Sequence, residues 1–408
     1  MADKNERSTA LWVIERLRQG GHLALLAGGC VRDMLLGRQC SDYDVATSAA
    51  PDEVAALFGR VLMIGAKFGV AMVLHDNRQI EVATFRSDTS YSDGRRPDSV
   101  SFTTAREDAE RRDFTINGMF YDPIAEEVID YVGGREDIKQ KVIRTIGSPD
   151  LRFSEDYLRM MRAVRFAVRL DFEIDDATAL AIEKHAERIT TISGERICDE
   201  LSKMLSQDSA AAALETLHRV GLARRVIGEL FEEPGRWERA VQRVGAVSAG
   251  RETTLSLSAL LCELSPRAIS KIVRRWGSSN ELKNALCRAS RNLGRWQDAG
   301  EAPLCDFKRL MSGGRFDHLL ELWRFEERLA NSSDELCRRI AARAESIPSD
   351  RVSPKPLVTG DDLIAMGLRE GPALGRIASA IYEAQLNEEF DTPDQARRAA
   401  EKLIAEDQ

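Results

Sequence analysis

Two aspartates, Asp42 and Asp44, stand two residues apart in the segment S-D-Y-D. On a strand, residues two apart point to the same face, so these two carboxylates would lie side by side. Adjacent carboxylates repel each other unless a cation lies between them. Mg²⁺ is bound in this way, by one or two carboxylates together with the phosphates of a substrate. We therefore predict that Asp42 and Asp44 are catalytic residues that hold Mg²⁺.

A pair of glycines precedes these aspartates. The apolar run L-A-L-L-A at residues 23–27 has the length of a buried strand, and Gly28 and Gly29 end it. Two adjacent glycines permit a tight turn and let a ligand approach the backbone closely. Residues 31–36 then predict a short helix that ends at Gly37. A glycine turn beside a carboxylate pair is what a metal-dependent nucleotidyl transfer requires.

A third acid, Glu81, lies in the alternating segment I-E-V-A-T-F at residues 80–85. Strands are predicted for residues 61–64, 70–75 and 79–85. An acid inside an otherwise apolar strand is a candidate third carboxylate of the same site, and we predict a catalytic role for it. The alternative, that Glu81 faces solvent on an edge strand, stays open.

The order of these residues resembles a known signature. The pattern G-G-x-V-R-D-x-L-L-G, followed after four residues by D-x-D, is similar to that of the tRNA nucleotidyltransferase and poly(A) polymerase family, the class II branch of the polymerase-β-like nucleotidyltransferases. A second segment, R-R-D-F-T-I-N-G-M-F-Y-D-P at residues 111–123, resembles the family's second signature, with glycine at 118 where the family usually has alanine. The nucleotide-binding residues implied in these two segments are Gly28, Gly29, Arg32, Arg112, Asp113 and Asn117.

The resemblance also implies a role for each of these residues. The two glycines and Arg32 would hold the triphosphate of the nucleotide. Arg112 would bind the triphosphate as well, because a guanidinium fork matches phosphate geometry. Asp113 and Asn117 would shape the site near the ribose.

An arginine-rich segment at residues 152–170 predicts a single helix with Ser154 as its N-cap and two acids in its first turn. Its pattern E-D-x-x-R-x-x-R-x-x-R-F resembles the family's nucleotide-selecting motif. The resemblance implies that Asp156 and Arg159 form a protein template that pairs with C or A, with Glu155 orienting Arg159. The alternative for Glu155 is a plain ion pair along the helix. Further nucleotide-site residues implied by the motif are Arg162 and Arg165. On a continuous helix, Asp156 and Arg165 would point to nearly opposite sides.

Two further segments complete the resemblance. Residues 86–111 are polar and predict a long loop, and loops of this length are usually functional or disordered. The family's CCA-adding and A-adding members carry a flexible loop at this place. Residues 192–201 resemble the family's last motif, in which Glu195, Arg196 and Glu200 would brace the preceding helix from behind.

The composition bounds these expectations. A chain of 408 residues, 43% of them apolar, is too long for one compact core, so two or more domains are expected. No run of 18 apolar residues predicts a membrane span, and the polar first residues contain no signal core, so we expect a cytoplasmic location. Seven cysteines without a C-x-x-C pair predict free thiols. A net charge of −8 argues against nucleic-acid binding over the whole surface, whereas local basic patches would suffice for it.

Together with these features, the resemblance implies an α+β protein with a polymerase-β-like nucleotidyltransferase head that contains a small mixed sheet. The head spans residues 1–150 and is followed by an all-helical neck (151–207), body (208–345) and tail (346–408), the tail binding tRNA. The expected activity is template-independent addition of C, C and A, from CTP and ATP, to the 3′ end of tRNA. Three alternatives stay open: an enzyme that adds only A, a poly(A) polymerase with the same head, and a catalytically silent RNA-binding relative. The intact carboxylates disfavour the last, and a tail that is not strongly basic disfavours the poly(A) polymerase.

Overall fold

The structure is a computed structural model that describes residues 3–40, 42–65, 68–88, 100–247 and 252–407. The chain forms two compact units. The head and neck predicted from the sequence both lie in the first unit, which comprises Met1–Trp237, Ser248–Thr253 and Arg274–Ser278. The second unit comprises Glu238–Val247, Thr254–Val273 and Ser279–Gln408.

All strands among the described residues belong to the first unit. In chain order they are β1 Ala24–Ala27, β2 Asp44–Thr47, β3 Val61–Gly65, β4 Val70–His75, β5 Arg78–Thr84, β6 Arg86–Asp88, β7 Val100–Phe102, β8 Met119–Asp122, β9 Glu127–Asp130, β10 Val142–Ile143 and β11 Glu173–Ile174. Seven of them form one mixed sheet in the order β3-β4-β5-β2-β1-β8-β9. The predicted fold class, a head with a small mixed sheet followed by helices, is confirmed.

The pairing of β2 with β5 brings two predicted site residues together. These strands are parallel, and Val45 pairs with Val82. The residues just before this pair, Asp44 and Glu81, therefore lie at the same level on the same face of the sheet. All other neighbours in the seven-stranded sheet are antiparallel.

The helices of the first unit cover this sheet and continue beyond it. They are α1 Asp3–Gln19, α2 Gly29–Leu35, α3 Pro51–Leu57, α4 Ala105–Glu110, α5 Gly134–Gln140, α6 Pro149–Glu155, α7 Leu158–Leu170, α8 Asp176–His185, α9 Gly194–Leu205, α10 Ala210–Arg219 and α11 Ala223–Val226. Helix α1 buries an apolar stripe, Ala10, Val13, Ile14 and Leu17, in the core of the head.

The prediction of one helix over residues 152–170 is wrong. Helix α6 ends at Glu155, and Asp156 has an extended backbone (φ −156°, ψ 103°). The carboxylate of Asp156 accepts a hydrogen bond from the backbone N–H of Leu158 at 3.0 Å, so it satisfies a donor at the start of α7. Ser154 is not an N-cap, since it lies inside α6, which begins at Pro149, and its hydroxyl donates to the carbonyl of Leu151.

The prediction of one long loop over residues 86–111 is also only partly right. Strands β6 and β7 pair with each other, and α4 follows them. Helix α4 begins with a capping box in which the side chains of Thr104 and Glu107 bind each other's backbone N–H groups. The middle of the predicted loop, residues 89–99, lies outside the described residues.

The remaining helices build the second unit, apart from the ends of the first three, which belong to the first unit. They are α12 Arg236–Val247, α13 Thr253–Leu261, α14 Pro266–Arg275, α15 Asn280–Asn292, α16 Leu304–Ser312, α17 Phe316–Asn331, α18 Glu335–Glu345, α19 Ser349–Val352, α20 Gly360–Ala365, α21 Pro372–Leu386 and α22 Pro393–Asp407. Trp296, Phe307 and Trp323 centre one apolar core, and residues 358–404 form another. In the described part of the chain, no helix combines the length and apolar character that crossing a membrane requires.

Candidate active site

A cavity of about 900 Å³ in the first unit brings the predicted site residues together. Its walls come from β1, α2, β2, β4, β5, β6, the segment after α4, α7 and α9. All thirteen predicted residues line it: Gly28, Gly29, Arg32, Asp42, Asp44, Glu81, Arg112, Asp113, Asn117, Asp156, Arg159, Arg162 and Arg165. Residues far apart in sequence thus share one site, although their roles stay predictions.

The cavity is positively charged in a chain that is negatively charged overall. Ten arginine or lysine side chains line it, against six aspartates and glutamates. Sequence reasoning missed several of these cations, namely Arg86, Arg111, Arg169 and Lys203. A concave site with an excess of guanidinium groups attracts phosphates.

One wall of the cavity carries the carboxylate cluster, which we define as Asp42, Asp44 and Glu81. Partial burial raises the pKa of Asp44 to about 6, and the negative charges of Glu81 and Asp42 add to this shift, although Arg112 opposes it. Burial and neighbouring negative charge thus both make the ionised form of Asp44 unfavourable, and a bound cation would relieve this. Two aspartate carboxylates that face one cavity are hard oxygen donors of the kind that Mg²⁺ prefers. Among the described residues, no three His, Cys, Asp or Glu side chains form a metal-binding group, so the role of Glu81 stays a prediction.

The turn between β1 and α2 contains two glycines, and the backbone requires glycine at only one of these positions. Gly28 has a φ of +73°, a conformation that glycine adopts without strain. A Cβ atom at this position would lie 3.0 Å from the guanidinium of Arg112, so a side chain would also crowd the cavity. A Cβ at Gly29 would meet only an ordinary contact, with Arg32 at 3.6 Å.

A chain of hydrogen bonds joins α2 to α7. Arg32 donates to the side-chain oxygen of Asn117 at 2.7 Å, and the amide of Asn117 donates to Asp113 at 3.1 Å. Arg162 of α7 donates two hydrogen bonds to the other oxygen of Asp113, at 2.9 and 2.7 Å. Burial alone would raise the pKa of Asp113, but the charge of Arg162 and these hydrogen bonds hold it at about 2. Asp113 is therefore ionised and fixed.

Phe166 lies at the centre of three of the predicted arginines. The guanidinium carbons of Arg32, Arg162 and Arg165 lie 5.3, 5.3 and 4.4 Å from the centre of its ring. Such contacts attract a cation to the face of an aromatic ring. In the sequence, Phe166 stands out only as the last residue of the arginine motif, and its place within the arginine repeat is the signal for this role.

Asp156 is held by an arginine from the next helix. Arg196 of α9 donates two hydrogen bonds to its carboxylate, at 3.2 and 2.7 Å. Asp156 and Arg165 both line the cavity, so their expected placement on opposite sides, which assumed a continuous helix, is wrong. We call Asp113 and Asp156 the arginine-paired acids.

Two of the residues that were expected to orient or brace α7, Glu155 and Glu200, contact its arginines. Glu155 forms an ion pair with Arg159, and Arg159 also donates to the carbonyl of Arg152 at 3.0 Å. Glu200 of α9, which is 2% exposed, accepts from Arg165 at 2.6 Å. These contacts agree with an orienting role for Glu155 and a bracing role for Glu200.

Comparisons with known proteins place this site in a family. The model of the poly A polymerase head domain matches residues 24–144, and a model described as a probable RNA and SrmB-binding site of polymerase A matches residues 171–233. The chain is 35% identical to the CCA-adding enzyme of Geobacillus kaustophilus over 94% of its own length and 93% of the relative's. It is 42% identical to the CCA-adding enzyme of Geobacillus thermodenitrificans over 67% of each chain.

A solved structure supports the same assignment. The crystal structure of the Bacillus stearothermophilus CCA-adding enzyme in complex with CTP is 32% identical and covers 98% of each chain, with a TM-score of 0.77. The likeness therefore extends over both units and not only over the head.

Proposed function

Since the chain belongs to the family of CCA-adding enzymes, we propose that it adds C, C and A to the 3′ end of tRNA, from CTP and ATP, without a nucleic-acid template. The observation that carries this proposal is the single cavity in which the carboxylate cluster faces an arginine-rich wall. A carboxylate pair for a cation and guanidinium groups for a triphosphate are the two requirements of nucleotidyl transfer.

We propose Mg²⁺ as the cation, held by Asp42 and Asp44. Enzymes of this family are generally metal-dependent, and paired carboxylates favour a hard cation of this kind. When bound, Mg²⁺ supplies positive charge that stabilises phosphate oxygens and favours ionisation of a hydroxyl. Burial and the neighbouring carboxylates disfavour the negative charge of Asp44, and a bound cation would relieve this.

The triphosphate lies, in this proposal, against the glycine turn and the guanidinium groups of Arg32 and Arg112. In the described part of the chain, Arg112 uses three of its five N–H groups, two for Asp108 and one for the carbonyl of Asn117. Two N–H groups remain for phosphate oxygens. Asp113 and Asn117, fixed by their hydrogen bonds, would shape the site near the ribose.

We propose that Asp156 and Arg159 select the base. Cytosine and adenine each present an amino group, whereas uracil and guanine present a carbonyl at the corresponding position. A carboxylate accepts a hydrogen bond from the amino group but repels the carbonyl. Because Arg196 holds the carboxylate of Asp156, this acceptor is in place before the nucleotide arrives.

The division of labour along the chain is also a proposal. The head (1–150) would perform the chemistry, the neck (151–207) would select the nucleotide, and the body (208–345) would connect it to the tail (346–408). The tail would bind tRNA, and it contains an apolar core of its own around Leu363, Ile377 and Ala400.

Addition to defined tRNA ends tests the proposal. The purified protein is incubated with Mg²⁺ and tRNA that ends before CCA, after the first C or after the second C, with each labelled nucleotide supplied separately. We expect C to be added to the first two substrates and A only to the third. Addition of A alone, a run of A residues, or no addition would instead indicate the A-adding, poly(A)-adding or silent relative.

A further inference from the structure

Asp108 lies behind the cavity wall, outside the residues that the sequence motifs single out. It is 1% exposed. One of its oxygens accepts from Arg111 at 3.0 and 2.7 Å, and the other accepts from Arg112 at 3.2 and 3.0 Å. Both arginines line the cavity. A single buried carboxylate therefore fixes two consecutive cavity arginines.

The same carboxylate also binds the backbone at the start of β6. The N–H of Arg86 donates to Asp108 at 3.2 Å, and the carbonyl of Arg86 accepts from Arg111 at 2.9 Å. Burial would raise the pKa of Asp108, but the charges of Arg112 and Arg111 and their hydrogen bonds lower it, so the group is ionised. The carboxylate of Asp108 thus accepts hydrogen bonds from two guanidinium groups and one backbone N–H, and its charge holds these three groups in place.

Arg112 is held on several sides by this arrangement. Besides Asp108, it contacts the carbonyl of Asn117 at 3.3 Å, and its guanidinium lies 5.1 Å from the centre of the Phe120 ring. An arginine on a mobile side chain loses rotational freedom when it binds a ligand, and a side chain that is already fixed does not. A fixed guanidinium therefore binds phosphate more tightly than a mobile one.

We infer that Asp108 is a positioning residue for phosphate recognition, which acts through Arg112 on the triphosphate of the incoming nucleotide. The inference rests on the proposed function for the identity of the ligand. It assigns Asp108 no contact with substrate. Asp108 holds the Arg112 guanidinium so that the two N–H groups left over are presented to phosphate oxygens.

Whether removal of the Asp108 charge weakens or strengthens phosphate binding distinguishes a positioning role from a purely electrostatic one. Asp108 is a negative charge next to a site for an anion, so its removal alone would strengthen the binding of an anion. If Asp108 acts by positioning, its removal weakens that binding, because Arg112 and Arg111 lose their shared acceptor. A general loss of stability would weaken the binding of every ligand alike.

The test is the variant Asp108→Asn, which keeps the size of the side chain and removes the charge. Binding of inorganic tripolyphosphate and of CTP is measured by calorimetry with Mg²⁺ present, and binding of cytidine by competition with CTP. We expect the dissociation constant for tripolyphosphate to rise roughly tenfold to a hundredfold, the range for loss of a hydrogen-bonded charge. Cytidine binding should be unchanged, and KM should rise for CTP and ATP alike, with kcat less affected.

A double-variant cycle checks that Asp108 acts through Arg112. Arg112→Gln should itself weaken tripolyphosphate binding, and adding Asp108→Asn to it should weaken binding no further. Additive losses in the double variant would overturn the inference. Asp108→Glu, which keeps the charge but displaces it by one methylene group, serves as the test if Asp108→Asn does not fold, and it should weaken tripolyphosphate binding in the same direction.

The matched control is Asp122→Asn in the same unit. Asp122 pairs with Arg18 at 2.8 Å and accepts from the backbone N–H groups of Ile124 and Ala125, but it does not line the cavity. Its replacement should leave tripolyphosphate binding unchanged. If the wild-type protein binds neither CTP nor tripolyphosphate, the proposed function fails and the inference fails with it. If the wild-type protein binds both, and Asp108→Asn binds tripolyphosphate equally well or better, only the inference fails.

Discussion

Asp44 and Asp113 line the same cavity, yet the pKa values of their carboxyl groups are shifted in opposite directions. Burial and the negative charges of Glu81 and Asp42 raise the pKa of Asp44 to about 6. For Asp113, burial is outweighed by the charge of Arg162 and by hydrogen bonds, which hold the pKa at about 2. Both residues are aspartates in the same cavity, so the difference between their pKa values comes from the charged and hydrogen-bonding groups around each carboxylate.

The comparison separates two kinds of site within one cavity. The arginine-paired acids, Asp113 and Asp156, have their countercharges within the protein and are fixed before any ligand binds. In the carboxylate cluster, the charge of Arg112 does not offset the burial of Asp44 and the negative charges beside it, and a bound cation would do so. We therefore expect changes in the carboxylate cluster to affect all additions and changes near the arginine-paired acids to affect the choice of nucleotide.

The largest effect is expected in the carboxylate cluster. Asp42→Ala or Asp44→Ala should abolish addition of both C and A, because the charge stabilisation that a metal supplies is worth several kcal/mol. Binding of tRNA should stay nearly intact. Addition is measured with labelled CTP and ATP, and tRNA binding by gel shift, with Asp122→Asn as the control. Near-normal incorporation by either alanine variant with Mg²⁺ present would remove the metal assignment.

The next effect concerns the segment between β6 and β7. A site that changes its preference after two additions must rearrange, and the polar stretch of residues 86–111, whose Arg86 and Arg111 line the cavity, can contribute to this change. Shortening residues 89–99, while keeping both strands, should give products that stop at CC. Addition of C by the same variant is the internal control. If the shortened protein still adds A at the normal rate, the segment has no such role.

A smaller effect is expected at the arginine-paired acid of the neck. Asp156→Ala or Arg159→Ile should raise incorporation of UTP or GTP relative to CTP and ATP. The loss of discrimination should be roughly tenfold to a hundredfold, as expected when a contact that pairs with the base is removed. The measurement is kcat/KM for all four nucleotides.

Arg165 provides the matched comparison for this prediction. It contacts Glu200 and the ring of Phe166, so Arg165→Ala should affect rate or stability more than base choice. If Asp156→Ala lowers kcat/KM equally for all four nucleotides, Asp156 does not select the base and serves only to start α7.

The sequence predicted those features that rest on local patterns. The apolar run at 23–27 became β1, the alternation around Glu81 became β5, and the free thiols are confirmed, since no disulfide joins the seven cysteines in the described structure. The motif residues also came together as expected in one cavity. These features depend on spacing along the chain, which the sequence shows directly.

Features that depend on competition between local hydrogen bonds were not predicted. Apolar periodicity continues across residues 152–170, but the carboxylate of Asp156 binds the N–H of Leu158 and the helix is interrupted there. The buried, structural role of Asp108 could not be predicted from the sequence either, because an acid in the segment A-R-E-D-A-E is typical of a solvated helix face. Its burial follows only from the fold, which brings Arg111, Arg112 and the backbone of Arg86 around it.

The smallest effect is a difference in how stability depends on pH. The pKa of Asp113 is lowered in the folded state, so its contribution to stability is present above the unfolded pKa and is lost as the pH falls towards 2. Asp113→Asn should therefore lower the free energy of unfolding by about 2 kcal/mol at pH 7, and the difference should shrink below about pH 4. The pKa of Asp44 is raised, so its ionised form opposes folding above about pH 6. Asp44→Asn should therefore be more stable than the wild type at pH 7 to 8 in the absence of divalent cations.

Denaturant unfolding from pH 8 to pH 3, with and without Mg²⁺, measures both differences. Towards low pH, the stability of Asp113→Asn should approach that of the wild type from below, and the stability of Asp44→Asn should approach it from above. Added Mg²⁺ should stabilise the wild type at pH 7, because a cation bound by Asp42 and Asp44 relieves their repulsion, but should stabilise Asp44→Asn much less. If both variants are destabilised in parallel at every pH, the two aspartates do not differ in their countercharge and the comparison between the two sites fails.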